Sequence, residues 1–296
     1  MLPQHVHQHL AQLLSLSLNK EVTNVFVKSI GGGSINQTYQ LQLLPCNESF
    51  FCKINSASRF PHLFLKEKIG LQLLGKSGVI KVPQVIACSQ FEHQQLLVLE
   101  WIESGTKNKR FFGLFGEQLA ALHRQTNTHF GLHENNYMGS VPQQNNPAAD
   151  WCTFFAQQRL QPLVEKCVAQ NLLTSTDIQL FEKLYQKLHN IFDATQPPAL
   201  LHGDLWSGNY MCSSNGEPVL IDPAVYYGHP AMDLGMTTLF GGFDAAFYES
   251  YQYHAPLPSN YKDQWAVASL YPLLIHLFLF GKNYLAGIRQ TAQTYA

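Results

Sequence analysis

Residues 200–211 read Leu200-Leu201-His202-Gly203-Asp204-Leu205-Trp206-Ser207-Gly208-Asn209-Tyr210-Met211. Apolar pairs flank a polar loop, a pattern that holds Asp204 and Asn209 rigidly at strand ends. Thirteen residues beyond Asn209, Val219-Leu220-Ile221-Asp222-Pro223 reads as a buried-type strand ending in a second carboxylate. Either aspartate alone would be an ordinary turn former or helix cap. The ordered set of two carboxylates and an intervening amide calls for a chemical explanation.

Phosphoryl transfer needs these groups. One carboxylate orients an attacking hydroxyl and accepts its proton, while an amide oxygen and a second carboxylate hold Mg²⁺ against nucleotide phosphates. The spacing Asp-x4-Asn matches the kinase catalytic-loop pattern, with Gly203 where arginine commonly stands, and Asp222-Pro223-Ala224 takes the place of Asp-Phe-Gly. Asp204 is therefore the candidate catalytic residue, and Asn209 and Asp222 are candidate metal ligands. His202 and His123 read as hydrogen-bonded scaffold, since base work falls to the aspartate.

Upstream, Lys53 lies in the apolar strand Phe50-Phe51-Cys52-Lys53-Ile54, where an unpaired ammonium would be costly to bury. Phe60, Phe64, Glu67, Leu71 and Leu74 then repeat at three- and four-residue steps, which puts Glu67 inside the apolar stripe of a helix. A carboxylate there needs a cation, and Lys53 supplies it. Kinases use such a pair to place a cation on nucleotide phosphates. Gly31-Gly32-Gly33-Ser34, between two β-like runs, is the candidate phosphate-covering turn, because glycines let backbone N–H groups approach phosphates. Glu100, Trp101 and Ile102, at the end of Leu97-Val98-Leu99, are candidates for pairing with an adenine edge; a plain apolar strand reads the same way.

Working outward, the periodicity predicts a helix over 3–18, strands at Val22–Ile30, Ile35–Leu44 and Phe50–Ile54, a helix over 60–74, and strands at Gln84–Cys88 and Gln95–Trp101. After about Thr106 helical patterns dominate, at 110–124, 150–169, 174–192, 231–252 and 260–288, interrupted by one β island at Ala199–Pro223. The expectation is an α+β, two-lobed, protein-kinase-like fold. Residues 1–102 form a small antiparallel-sheet lobe, 103–108 the hinge, and 109–296 a larger, mainly helical lobe.

The formal net charge of −1 gives no electrostatic reason to expect nucleic acid or an anionic membrane surface as partner. The longest apolar stretch, Leu270–Phe280, falls well short of the ~20 residues that span a bilayer and reads as a buried C-terminal helix. No cationic leader precedes an apolar run at the N-terminus. The six cysteines form no Cys-x-x-Cys pair, so they read as small buried residues of a cytoplasmic protein, expected to be monomeric.

With these residues in hand, the chain resembles the fructosamine kinase (ketosamine-3-kinase) family, related to aminoglycoside phosphotransferases and choline kinases. The likeness runs from Gly31 to about Tyr251. It is carried by His202–Asn209, by Asp222-Pro223-Ala224-Val225-Tyr226-Tyr227-Gly228-His229, by Asp233-Leu234-Gly235-Met236-Thr237 and by Leu239-Phe240-Gly241-Gly242-Phe243. Asp150-Trp151, Phe154-Phe155 and Arg159-Leu160 also look like the family. The resemblance implies phosphorylation of a hydroxyl on a sugar-derived ketoamine, of fructosamine or ribulosamine type, by ATP with Mg²⁺. In the family this is associated with removing early glycation adducts from free or protein-bound amines. Trp206 and Tyr226 are the acceptor-side candidates, with Trp206 readable as core or as pocket wall. Pro230-Ala231 depart from the charged pair expected after His229, and Asp233 reads as a brace for the catalytic loop. Two other readings stay open at this point: a kinase of the same fold with an aminoglycoside, choline or sugar acceptor, and a silent nucleotide-binding protein.

Overall fold

Period-two alternation before residue 101 builds a sheet, and helical repeats after residue 110 build a bundle around short strands. A computed structural model describes residues 2–31, 35–44 and 48–296. Its elements begin with α1 (Gln4–Leu18), β1 (Asn24–Ile30), β2 (Gln37–Leu44), β3 (Ser49–Ser56), α2 (Leu63–Lys76), β4 (Val85–Phe91) and β5 (Gln94–Glu100). There follow α3 (Phe111–His123), β6 (Asn136–Met138), β7 (Val141–Gln143), α4 (Trp151–Phe154), α5 (Gln161–Ala169) and α6 (Ser175–Ile191). The chain then forms β8 (Ala199–Leu201), β9 (Tyr210–Cys212), β10 (Pro218–Leu220) and β11 (Tyr226–Gly228). It closes with α7 (Ala231–Leu239), α8 (Ala245–His254), α9 (Tyr261–Ala268), α10 (Leu270–Phe280) and α11 (Leu285–Tyr295). Two compact units result: one runs up to Lys107 and takes in Met211–Ile221, and the other comprises Asn108–Tyr210 and Asp222–Ala296.

In the first unit the sheet order is β1-β2-β3-β5-β4, antiparallel throughout. Alternation sends Leu41, Leu43, Phe50, Cys52, Ile54, Leu96 and Val98 into one core, which Val6, Leu10 and Leu14 of α1 cover. Burying each such aliphatic or aromatic side chain contributes about 1.5–3 kcal/mol. Lys53 alternates with Cys52 and so points to the other face, in register with Thr38 of β2 and Leu97 of β5. The start of α2 is fixed by buried Gln95, whose amide donates to Phe60 O at 2.6 Å and accepts from Phe64 N at 3.1 Å.

The segment Met211–Ile221 was expected with the helical lobe but groups with the first unit. Its backbone is the reason: Gly105 N donates to Cys212 O, Ser214 N to Glu103 O and Leu220 N to Lys81 O, at 2.8–2.9 Å. The 103–105 stretch is thus paired backbone, and the units divide after Lys107.

In the second unit α3 and α8 approach closely through Gly116, where a Cβ would lie 2.2 Å from Phe247 O. The helix expected over 231–252 is two helices. Gly241 and Gly242 take φ of 69° and 89°, left-handed values that interrupt the helix. The helix expected over 260–288 is likewise divided, at Ser269 and at Gly281. Residues 261–280 are long and apolar enough to cross a membrane by length and composition only, and 56% of their most apolar 18-residue window is buried, as in a core helix pair. Leu270–Phe280 does form a helix, although its last residues, Leu279 and Phe280, are exposed. Near the C-terminus, Arg289 makes a two-pronged ion pair with Asp177, holding that carboxyl down at about 2. Among the described cysteines, Cys52, Cys152, Cys167 and Cys212 are buried and none forms a disulfide; Cys46 lies outside the described residues.

Candidate active site

The loop between β8 and β9 is held from below by backbone. Ala224 N donates to His202 O at 2.9 Å, and Gly203 takes φ 84° directly against Ala224. A Cβ at Gly203 would sit 2.1 Å from Ala224 O, so the arginine common in the kinase pattern has no room. Asp233 in the first turn of α7 clamps the same loop. Its Oδ1 accepts from Gly203 N and its Oδ2 from His202 N, both at 2.8 Å. His123 Nε2 lies 3.3 Å from Asp233 Oδ2, and its Nδ1 lies 2.8 Å from Tyr251 Oη. A proton on Nε2 therefore faces the carboxylate, and Nδ1 accepts from the tyrosine. Pro230 leads into α7 with its fixed φ, and His229 Nδ1 accepts from Ala231 N at 3.1 Å; this is what the Pro230-Ala231 departure builds.

Asp204 stands on that platform. Its N–H donates to His202 Nδ1 at 3.2 Å, and Asn209 Nδ2 donates to Asp204 Oδ2 at 2.9 Å and to Asp204 O at 2.8 Å. With its nitrogen committed to Asp204, Asn209 keeps its amide oxygen as the atom available to a cation. Burial pushes the Asp204 carboxyl up to about 7; the Asn209 bond opposes this, while Asp222 and Asp233 add to it. Asp222 takes φ 54°, a left-handed conformation unusual for aspartate and of the kind concentrated at functional sites. Excess negative potential around oxygen donors from Asp204, Asn209 and Asp222 is the environment a hard divalent cation such as Mg²⁺ fits.

In the first unit, Lys53 Nζ lies 2.6 Å from Glu67 Oε1, the two side chains being 2% and 11% exposed. Sequence periodicity places these two groups together, and the structure does the same. At Gly31 a Cβ would meet nothing within 4 Å, so packing does not demand glycine there; Gly32, Gly33 and Ser34 lie outside the described residues. Of the adenine candidates, Glu100 spends its carboxylate on Lys81 Nζ at 2.8 Å and Gln84 N at 3.1 Å. Trp101 donates to Glu103 at 2.8 Å, and the Ile102 side chain is buried. The Glu100 N–H is also engaged, donating to Gln84 O at 2.8 Å.

Tyr226, expected on the acceptor side, is a core residue. Its ring is fully buried, stacks on Phe154 at 5.8 Å and carries the Arg159 guanidinium 4.0 Å above it. It packs beneath Gly203 and supports the loop. Trp151 is core too, stacked on Phe155. Trp206 is the exposed one of the three, at 37%.

Sequence reasoning missed the polar brace behind Asp222. Asn136 donates to Val225 O at 2.8 Å, Gln143 to Ala224 O at 3.2 Å, and Tyr271 Oη to Gln143 at 2.8 Å. Arg159 donates to Gln144 O and Asn145 Oδ1 from the π-helical turn Phe155–Leu160. An extra residue in such a turn re-aims the side chains of a helix, which period 3.6 does not anticipate. Most of these partners lie some eighty or more residues away in sequence, where local pattern carries no signal.

The arrangement defines a kinase-like small-molecule phosphotransferase fold. A choline/ethanolamine kinase family protein from Mesorhizobium loti, 13% identical, shares that fold with a TM-score of 0.56, over 98% of this chain and 92% of its own. The crystal structure of a Thermobifida fusca protein assigned as a fructosamine-3-kinase aligns with a TM-score of 0.85 and 31% identity, over 96% of this chain and 97% of its own. A ketoamine kinase (so named as probable) from Lactiplantibacillus plantarum is 39% identical over 87% of this chain and 90% of its own length. The rice protein-ribulosamine 3-kinase of chloroplasts is 35% identical over 87% of this chain and 75% of its own length. The family model described as fructosamine kinase matches residues 6–295, and the chain belongs to that family of ATP-dependent kinases.

Proposed function

We propose that this protein transfers the γ-phosphoryl group of ATP to a hydroxyl of a sugar-derived ketoamine, fructosamine or ribulosamine in type. The observation that carries the reading is the Asp204 carboxylate, half-buried, held by Asn209 and set on a loop clamped by Asp233. In the second unit, Asp204 Oδ accepts the proton of the acceptor hydroxyl as its oxygen bonds to the γ-phosphorus. The bond from that phosphorus to the β,γ-bridging oxygen breaks, and ADP leaves. The amide oxygen of Asn209 and the carboxylate of Asp222 are the ligands for Mg²⁺, which supplies charge neutralisation on the phosphates when bound.

In the first unit, Lys53, held by Glu67, supplies the cation for the nucleotide phosphates, and the 31–34 turn supplies backbone N–H donors. The backbone of Glu100–Ile102 pairs with the adenine edge. Trp206 flanks the acceptor. Placement and electrostatics do the catalytic work, since the reaction requires little covalent chemistry from the protein. Activity on ketoamines would remove early glycation adducts from amines.

The test is ATP consumption with Mg²⁺ against ribulose-lysine, fructose-lysine, kanamycin, choline and no acceptor. Turnover on a ketoamine and none on kanamycin or choline supports the reading. Turnover confined to kanamycin or choline refutes the acceptor class, and ATP binding without any transfer refutes the enzymatic reading.

A further inference from the structure

Apart from the loops that carry Asp204, Asn209 and Asp222, three donors of different chemistry meet where the start of α4 reaches the end of α6. They are Asp150, Cys152 and His189, all within the second unit, and their ligating atoms lie within 4.8 Å of one another. Asp150 immediately precedes α4, and its two carboxylate oxygens have separate roles. Oδ2 accepts from Thr153 N at 2.6 Å and caps the helix, while Oδ1 lies 3.9 Å from His189 Nδ1. Oδ1 thus has lone pairs to offer beside an imidazole nitrogen. Cys152 is buried and forms no disulfide. His189 stands in the last turn of α6, next to Leu188 of that helix's buried stripe, and its side chain is 59% exposed. Aromatic packing fixes the two helix ends against each other: the Phe192 ring, just past α6, lies at a steep angle to Trp151 at 5.9 Å and to Phe155 at 5.7 Å.

We propose that Asp150, Cys152 and His189 form a second metal site, one for a thiophilic divalent cation of the Zn²⁺ class and separate from the Mg²⁺ ligands of phosphoryl transfer. One oxygen, one sulfur and one nitrogen make a donor set that Zn²⁺ takes at about 2.0–2.3 Å, with a fourth tetrahedral position left to water. Bonds of that length put ligand atoms roughly 3.4–3.5 Å apart, so donors already within 4.8 Å need a modest side-chain rotation, which the exposed imidazole can make. The thiolate discriminates against Mg²⁺, which prefers oxygen. On binding, the Cys152 S–H bond breaks, a sulfur–metal bond forms and the proton leaves to solvent; nothing is oxidised or reduced. The ion ties the first turn of α4 to the last turn of α6. From α4 the chain continues through the Phe155–Leu160 turn to Arg159, whose guanidinium lies over Tyr226 beneath Gly203. The metal therefore stabilises the support of the catalytic loop without touching a reacting group, whatever the acceptor.

The test uses the full chain, stripped with chelator, desalted and held in excess Mg²⁺ so that oxygen-only sites are filled. Co²⁺ is then titrated in as a spectroscopic substitute for Zn²⁺. The expected result is a thiolate-to-cobalt charge-transfer band that saturates at one ion per chain and is bleached by Zn²⁺. Cys152→Ser should abolish the band. His189→Ala should weaken Co²⁺ binding at least about tenfold, since even outer partners of metal ligands cost that much when removed. Zn²⁺ should raise the melting temperature of wild type by a few degrees and leave that of both variants nearly unchanged. His189→Ala changes an exposed position, so it keeps the test readable should Cys152→Ser fail to fold. A band that persists in Cys152→Ser, or an equal Zn²⁺ effect on wild type and His189→Ala, would overturn the site. Co²⁺ uptake without the band, or no uptake at all, would reduce the cluster to a helix cap beside a surface ion pair.

Discussion

Asn209 Nδ2 donates to Asp204 Oδ2 at 2.9 Å, and this bond pulls the Asp204 carboxyl toward ionisation. Against it stand burial, Asp222 and Asp233, which together lift that carboxyl from 3.8 to about 7. The base is therefore set near neutrality by opposing local forces, which is where proton acceptance is most efficient.

That balance has a stability consequence with a definite sign. Because the folded-state pKa of Asp204 is raised, the folded protein binds more protons than the unfolded chain between about pH 4 and pH 7. Its contribution is most favourable below that window and is lost as pH rises through about 7. Asp204→Asn removes the ionisation, so in chelator at pH 7.5 the variant should melt a few degrees above wild type. The gap should close toward pH 4. Differential scanning calorimetry across that range decides it, and a gap independent of pH would contradict the assignment. In activity, kcat/KM should decline on the acid side of neutrality, and saturating Mg²⁺ should move that limb to lower pH, because a cation favours the carboxylate.

Lys53 and Glu67 make a second case, because their burial separates structural from catalytic effects. Removing Glu67 as Ala should cost about 3 kcal/mol, the scale for breaking a buried pair. The double variant Lys53→Met/Glu67→Leu should recover most of that stability. Yet it should raise the KM for ATP or lower kcat by on the order of tenfold or more, since the cation for the phosphates is gone. Urea unfolding together with ATP titrations reads both effects; a stable double variant with normal ATP kinetics would refute the role of Lys53.

Asp233 touches no reacting group and should behave as a positioning residue. Asp233→Asn weakens the clamp on His202 N and Gly203 N, bonds to a charged group worth about 1.5–3 kcal/mol each. The expected outcome is a lower melting temperature and a reduced kcat, with the KM for ATP retained. A change confined to the KM for ATP would place Asp233 elsewhere in the mechanism.

These residues also show how far local sequence reaches. Asp204, Asn209 and Asp222 were legible because their spacing along the chain is itself the signal, and Lys53 with Glu67 because period two met period 3.6 at a costly charge. Tyr226 became an acceptor-side candidate through the family resemblance, whereas its ring is buried and turns inward onto Arg159. The breaks at Gly241-Gly242 and Gly281 were hidden because apolar residues continue in helical rhythm on both sides. Met211–Ile221 escaped because its partners are backbone groups at Lys81, Glu103 and Gly105, which leave no mark on side-chain patterns.

The most direct measurement is single-turnover transfer of labelled γ-phosphate from ATP to ribulose-lysine or fructose-lysine by wild type and Asp204→Asn, with ATP binding measured in parallel. Asp204→Asn should bind ATP about as well as wild type and transfer phosphate about 100- to 10,000-fold more slowly, the range for loss of a general base. Transfer by the variant at the wild-type rate would contradict the role assigned to Asp204.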